Sequence, residues 1–261
     1  MIGRRALCLG IGAGAGLILA GRSPLAAARG NEVLVGLQNN VFANLFYGKP
    51  AGIILEAVDI VLRKSGRTPV YLEMPNSEVA AAMQEGTVGV ETVMVETSSN
   101  RVWALLTDPI VTEYNVIAVP IRSGLTVNRL ADLHGLRLGG RQGYQYPLLD
   151  TDPDIKLERF SQDGALIRNL ILGRIDAAII GAVSDVYKLR AEGVMPRIRI
   201  LNRSVGTVPL RAGLSRRLFT SADLGNFNGH LADLKADPQW TDILERNGFA
   251  DLVVEWPSIT Q

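Results

Sequence analysis

The sequence predicts an α/β protein built from two lobes of similar architecture. Apolar strand-like runs alternate with helix-like segments along most of the chain, which indicates mainly parallel sheets flanked by helices. This alternation restarts after Pro120. One pattern also occurs twice, a helix that ends at glycine and leads into an apolar strand, in the segments QEGTVGVETV and ILGRIDAAII.

The first lobe is predicted to begin with a strand over Glu32–Leu37, followed by a loop rich in asparagine and aromatic residues. Apolar residues at helical spacing then predict a helix over 53–64. A strand over 70–74 and a second helix, which Gly86 ends, follow. A buried strand leads into a polar loop, and a strand over 115–119 stops at proline.

The second lobe repeats this order of elements. They are a short helix, a strand that runs into a glycine-rich turn, a helix, a buried strand and a last strand, at residues 130–134, 136–138, 164–172, 177–180 and 198–201. The chain is predicted to be helical from Leu218 onwards, with Trp240 and Ile243 on one face and Gly248 as the stop.

Two crossings between the lobes, near Pro120 and near Thr207, predict a two-strand hinge, and such hinges close domains around ligands. The predicted domains are a signal peptide, a first lobe made of two segments and a second lobe, at residues 1–28, 29–119 with 207–261, and 120–206.

Composition restricts the class of partner. The chain has 261 residues, 47% of them apolar, which is enough for a substantial core. Its formal net charge of +1 includes three arginines and no acid in residues 1–28, so the rest of the chain carries −2. A mildly acidic body argues against nucleic acid or anionic lipid as a partner. No nucleic acid is therefore expected as a partner, and the chain is expected to be a monomer.

The N-terminus has the pattern of a secretory signal, with a basic start, an apolar run over 6–20 and small residues at Ala26 and Ala28. We expect cleavage near Ala28 and a periplasmic protein. An uncleaved anchor is disfavoured because the run is shorter than the roughly 20 apolar residues of a membrane span. Arg4-Arg5 is also compatible with twin-arginine export. The only cysteine, Cys8, would leave with this segment, so the mature chain would have no disulfide.

A candidate anion site follows the apolar strand before Glu96. There the hydroxyl-bearing residues Thr97, Ser98 and Ser99 are followed by Arg101. Open α/β sheets present their ligand crevices at the carboxyl ends of strands, so hydroxyls and a guanidinium there could hold an anion. The alternative is that Arg101 is a surface residue paired with Glu96 or Glu113.

Other candidates for the cleft have structural alternatives. Loop aromatics of the first lobe could wall the cleft or cover the sheet edge: Phe42, Phe46 and Tyr47. Residues after the glycine-rich turn of the second lobe could line the pocket or pack the turn: Tyr144, Gln145 and Tyr146. Ser184 could contact the ligand or, as the more ordinary role, cap the helix that starts there.

Four segments, in order, resemble periplasmic solute-binding proteins of ABC importers: FYGKPAGIILEAV, SSNRVWALLTDPI, LADLHGLRLGGRQG and LILGRIDAAIIGAVSDVYKL. The resemblance covers essentially the whole mature chain and is to the cluster that carries polar amino acids and related small organic acids. It implies a two-lobed type II periplasmic-binding-protein-like fold, a small-molecule ligand, no cofactor, and an ABC permease in the inner membrane as partner.

The resemblance also implies roles for residues. Arg101 matches the arginine that clamps a ligand carboxylate, a task for which its planar, bidentate geometry is suited. Gly143 and Tyr144 match the loop that donates backbone N–H groups to the same carboxylate. Gly181 stands where amino-acid binders carry an aspartate for the α-ammonium group. An amino acid without that counter-ion would be costly to bury, so we expect a carboxylate ligand other than a standard α-amino acid.

Catalysis has little support in the sequence, and we expect neither an enzyme nor a metal site. The sequence contains no G-x-S-x-G, H-E-x-x-H, C-x-x-C or phosphate-binding motif. His134 and His230 are expected to be structural. Two alternatives remain open. One is an enzyme that resembles cyclohexadienyl or arogenate dehydratases, with Glu96 or Glu113 as its acid or base; the other is a periplasmic sensor or an accessory protein of a dehydrogenase system.

Overall fold

The structure is a computed structural model that describes residues 30–37 and 40–260. The predicted signal peptide lies outside this part of the chain. The strands β1 to β11 are Glu32–Leu37, Asn44–Phe46, Lys49–Ala51, Thr68–Glu73, Val90–Met94, Ala104–Leu106, Val111–Pro120, Leu138–Arg141, Leu157–Phe160, Ala177–Gly181 and Ile198–Ser215. The helices α1 to α7 are Ile53–Lys64, Asn76–Glu85, Pro147–Asp150, Asp163–Ile171, Ser184–Ala191, Ser221–Ala236 and Pro238–Arg246. Short 3₁₀ helices cover Asn100–Val102, Leu130–Leu133 and Met195–Arg197.

A curled sheet with two similar halves organises the fold. The first half has the strand order β4-β1-β5-β11, with β6 also paired to β11; the second half has the order β11-β7-β10-β8-β9. Strands β4, β1 and β5 are parallel to one another, as are β10, β8 and β9. Strands β7 and β11 run antiparallel to their neighbours. The α/β class and the mainly parallel sheet in each half are therefore confirmed.

Strand β11 joins the two halves by changing its partners. Its residues 198–210 pair with β7, and residues 211–215 pair with β5 and β6. Two backbone bonds lie at this exchange: Thr107 N–H donates to the Ala212 carbonyl at 3.0 Å, and Ile110 N–H donates to the Leu210 carbonyl at 2.8 Å. Two strands thus connect the halves here, and the predicted boundaries at 119/120 and 206/207 stay a prediction.

The repeated helix–glycine–strand pattern is confirmed. Helix α2 ends at Gly86, whose φ of 82° is a left-handed conformation that favours glycine, and the chain continues into β5. Helix α4 is followed by Gly173 with a φ of 67°, and the chain continues into β10. Both turns lead into a buried strand in the middle of its half, and ligand crevices in open α/β sheets lie beyond the carboxyl ends of such strands.

The C-terminal tail contacts the second half of the sheet. Ser204 forms an isolated bridge with Ser258, and Arg129 forms one with Thr260. These pairings place the last residues of the described chain beside the second half of the sheet.

A search of the described residues for helices that could cross a membrane finds none of sufficient length and apolar character.

Candidate functional site

A groove of about 490 Å³ lies beyond the carboxyl end of β5. Its lining residues come from the loop after that strand and from β11: Val95, Glu96, Thr97, Ser98, Arg101, Pro209 and Arg211. The predicted polar loop therefore borders a concave surface, and the guanidinium of Arg101 lies on its wall. Ser99 is not among the lining residues; its hydroxyl lies 3.0 Å from that of Thr97.

One buried amide holds this loop in shape. Thr97 N–H donates to Asn100 Oδ1 at 2.9 Å, and Asn100 Nδ2 donates to the Val95 carbonyl at 2.8 Å. The backbone N–H of Asn100 in turn donates to the Thr97 hydroxyl at 3.2 Å. These bonds satisfy backbone groups that would otherwise lack partners in a tight turn. They position Arg101 in the 3₁₀ turn that follows.

The groove contains a carboxylate between two guanidiniums. Arg101 Nη2 contacts Glu96 Oε1, and Arg211 Nε lies 3.8 Å from Glu96 Oε2. Arg211 is fixed from the other side, because its Nη1 donates to the Thr107 carbonyl at 2.6 Å. The surface pairing of Arg101 with Glu96 is thus present, and it occurs on the groove wall. The side chain of Arg101 is 67% exposed, which leaves it accessible to a ligand.

Arg211 is a groove residue that was not predicted from the sequence. The available signal was a charge in the middle of the otherwise apolar strand segment VPLRAGLS. A cation in a half-buried strand needs a compensating partner, so its presence there is typical of a site.

The residues of the glycine-rich turn in the second half differ in their exposure to solvent. Gly143 has a φ of 81° and open space around it, as a turn that exposes backbone N–H groups requires. Tyr144 and Gln145 are exposed, and the Tyr144 ring lies 4.6 Å from the guanidinium carbon of Arg141. Tyr146 is 1% exposed, and its hydroxyl accepts a bond from the backbone N–H of Arg141 at 3.1 Å. Of the two roles considered for Tyr146, this burial favours packing of the turn over lining of the pocket.

A carboxylate lies at the end of β10, and it belongs to Glu113 of the neighbouring strand β7. A Cβ atom at Gly181 would lie 2.8 Å from Oε1 of Glu113, a residue of β7. The same Oε1 accepts the Val183 N–H at 2.7 Å, and Oε2 accepts the Ser184 N–H at 3.1 Å. Burial raises the pKa of Glu113 to about 7, against the two N–H groups that favour its ionised form.

This arrangement corrects the expected role of Ser184. Helix α5 begins at Ser184 and has no side-chain cap from its own residues. Glu113 instead accepts the backbone N–H groups at its first turn, where a negative charge is favourable. The capping function is present, but it comes from a residue 71 positions earlier in the chain.

Aromatic residues of the first-lobe loop have separate locations. Phe42 is 7% exposed, and its ring stacks on that of Phe249 at 6.3 Å between centroids. It belongs to the core, so its expected place on a cleft wall is not observed. Phe46 and Tyr47 lie in the β2–β3 hairpin, are 66% and 90% exposed, and contact each other edge to face. Neither ring lines the groove.

Further charges gather at the ends of β8 and β10. Arg141 Nη1 lies 2.6 Å from Asp163 Oδ1 and 3.5 Å from Asp185 Oδ1. Asp185 also accepts the Gly181 N–H at 2.7 Å. Elsewhere on the second half, His134, Asp152 and Asp154 have ligand atoms within 4.8 Å of one another, and the His134 ring lies 3.0 Å from Asp152. The expectation of no metal site stays a prediction.

The chain is similar to known proteins in structure but matches none of the compared families or curated proteins in sequence. No family model matches the chain, and no curated protein matches it significantly. The L-cystine solute receptor of Neisseria gonorrhoeae, in its unliganded open conformation, is similar with a TM-score of 0.71 and 17% identity over 86% of this chain and 95% of that chain. An ABC transporter substrate-binding protein from Streptococcus pneumoniae with bound histidine is similar with a TM-score of 0.62 and 18% identity, over 86% of this chain and 95% of that chain. A histidine kinase sensor domain, described as similar to periplasmic binding proteins, is similar with a TM-score of 0.63 and 20% identity, over 84% of this chain and 96% of that chain.

Proposed function

The chain has the two-lobed type II fold of periplasmic solute-binding proteins, as the sequence predicts, and on this premise we propose that it binds a small carboxylate-bearing organic ligand for ABC-type uptake. The groove after β5 carries this proposal, because it combines the guanidinium of Arg101 with the loop hydroxyls on a concave surface. Guanidinium groups match the planar geometry of a carboxylate. The protein acts as a monomeric binding protein in the periplasm, without catalysis, and delivers its ligand to a membrane permease.

The second lobe supports a ligand other than a standard α-amino acid. Gly181 itself supplies no carboxylate, and the nearest one, from Glu113, has both oxygens occupied by backbone N–H groups. It therefore serves the helix, and its burial favours the neutral carboxyl group, which is a poor counter-ion for an α-ammonium group. An ammonium group buried in the cleft without a counter-ion would lower affinity by several kcal/mol, because its hydration would be lost without replacement.

A thermal-shift screen tests this proposal. Carboxylates, amines and sugars are added in turn to the purified protein, and the melting temperature is measured. A ligand that binds only the folded state raises that temperature, so we expect carboxylates to do so and amines and sugars to leave it unchanged. Stabilisation by amines or sugars alone would contradict a carboxylate ligand. Standard α-amino acids are included, and we expect smaller shifts from them than from carboxylates that lack the amino group.

Sensing is a second candidate, favoured by the likeness to a histidine kinase sensor domain. The proposed groove and ligand class would be the same, and only the partner would differ. Affinity purification of the protein from membranes solubilised with its ligand present separates the two functions, since a permease is expected for uptake and a signalling protein for sensing.

A further inference from the structure

Glu96 occupies the position in the groove that best suits an external carboxylate. Its two oxygens face two different guanidiniums, Oε1 towards Arg101 and Oε2 towards Arg211. Both arginines belong to the groove lining. A carboxylate with one arginine on each oxygen is an arrangement by which proteins also bind anionic ligands.

The contact with Arg211 is incomplete. Its Nε is buried and has no hydrogen-bond partner, and the 3.8 Å to Glu96 Oε2 is too long for a hydrogen bond. A buried N–H group without an acceptor is unfavourable and calls for a specific reason. The loop backbone restricts where the Glu96 carboxylate can lie, and in its contact with Arg101 it does not reach Arg211 Nε. The carboxylate of a free ligand is not restricted in this way and can approach both arginines.

Glu96 can also leave this position. Its side chain is 34% exposed, and that of Arg101 is 67% exposed. Ion pairs this open to water contribute little to stability, because water replaces much of what is lost when they separate. The side chain of Glu96 can therefore turn into solvent when another anion competes for the two guanidiniums.

We propose that Glu96 holds the place of the ligand's carboxylate, and that a ligand displaces it to bind between Arg101 and Arg211. This inference rests on the proposed function and adds two elements to it: Arg211 as a second ligand-binding residue, and Glu96 as an internal competitor. Affinity for carboxylates is then set by the difference between an external carboxylate and the tethered one, and not by the two arginines alone.

The variant Glu96→Gln tests this competition, since it keeps the size of the side chain and removes its charge. Succinate is the probe, and its binding is measured by calorimetry at low ionic strength, where surface charges are least screened. We expect Glu96→Gln to bind succinate at least tenfold more tightly than the unmodified protein. Glu158→Gln, on an exposed position of β9, makes the same change in net charge outside the groove and should leave binding unchanged.

A double variant tests the role of Arg211. In Glu96→Gln/Arg211→Lys the positive charge remains while the Nε–H is lost, so the tenfold gain should disappear if that group binds the carboxylate. A gain that survives this change would overturn the assignment of Arg211. Melting temperatures without succinate establish that each variant is folded.

Weaker or equal binding by Glu96→Gln would overturn the inference. Weaker binding would mean that Glu96 contacts the ligand directly; equal binding would mean that it does not compete. Failure of the proposed function looks different, because it is judged on the unmodified protein. If the unmodified protein responds to no carboxylate while Glu96→Gln binds succinate through Arg211, the inferred competition by Glu96 is supported and the proposed uptake of carboxylates is contradicted.

Discussion

Replacement of Gly181 by aspartate is expected to destabilise the protein by more than about 4 kcal/mol. Even a Cβ atom at this position would lie 2.6 Å from Ser184 Oγ and 2.8 Å from Glu113 Oε1. Overpacking of this kind typically costs about 1–3 kcal/mol. The aspartate adds a second carboxyl group beside the buried one of Glu113, and two like charges in a low dielectric repel strongly. The free energy of unfolding, measured by denaturant titration, checks this result.

A double-mutant cycle shows whether Glu113 is the reason. Gly181→Ala alone is expected to cost about 2 kcal/mol, because the methyl group pushes the carboxylate away from the N–H groups of Val183 and Ser184. In the background Glu113→Ala the same change should cost less, since the contacts with the Glu113 carboxyl group are gone and only the contact with Ser184 Oγ remains. Gly164→Ala serves as the control, because nothing lies within 4 Å of its Cβ. Equal costs in both backgrounds would mean that Glu113 does not fill the space at Gly181.

Glu91 is expected to make the protein lose stability as the pH rises from about 4.5 to about 7. It is 6% exposed on β5, and burial alone raises its pKa from its ordinary value of 4.5 to about 7. Because the folded state binds this proton more tightly, the contribution of Glu91 is fully present below pH 4.5 and is lost as the pH passes about 7. The loss is on the order of 3 kcal/mol, at about 1.4 kcal/mol per pKa unit.

The variant Glu91→Gln isolates this contribution, since it does not titrate. We expect the difference in unfolding free energy between the unmodified protein and Glu91→Gln to shift against the unmodified protein between pH 4 and pH 8. A difference that stays constant over this range would mean that Glu91 ionises as readily in the folded state as in the unfolded chain.

Local sequence signals were sufficient for most of the layout of the fold. Apolar periodicity identified the longer helices and the central strands but not the short elements β2, β3, β6, β9 and α3, and Gly86 and Gly173 marked the turns that lead into β5 and β10. Arg101 could be found as well, because the hydroxyl cluster and the asparagine that shape its loop are adjacent in sequence. These features depend on neighbours within a few residues, where pattern and physical cause coincide.

The rest of the site depends on distant parts of the chain. Arg211 reaches the groove only because β11 pairs with β5, so that Arg211 lies opposite Met94. Glu113 reaches Gly181 because β7 and β10 are neighbours in a register that pairs Asn115 with Gly181. Such pairings follow from tertiary packing and leave no trace in local periodicity.

The burial of two aromatic residues also depends on distant segments. Phe42 looked like a cleft residue because it lies on a loop, yet Phe249, 207 positions later, covers its ring. Tyr146 looked like part of an exposed turn, yet its hydroxyl satisfies a backbone N–H at the end of β8, which allows the whole side chain to be buried. Loop position alone does not distinguish an exposed aromatic ring from one that another segment buries.

Calorimetric titration of the most stabilising carboxylate into the unmodified protein and into Arg101→Ala tests the central claim most directly. We expect binding to Arg101→Ala to be weaker by at least tenfold, because the ligand loses a charge-assisted contact on the groove wall. Arg122→Ala, which removes an exposed arginine just after β7, should bind as the unmodified protein does. Equal affinity in all three proteins would contradict a carboxylate site at Arg101.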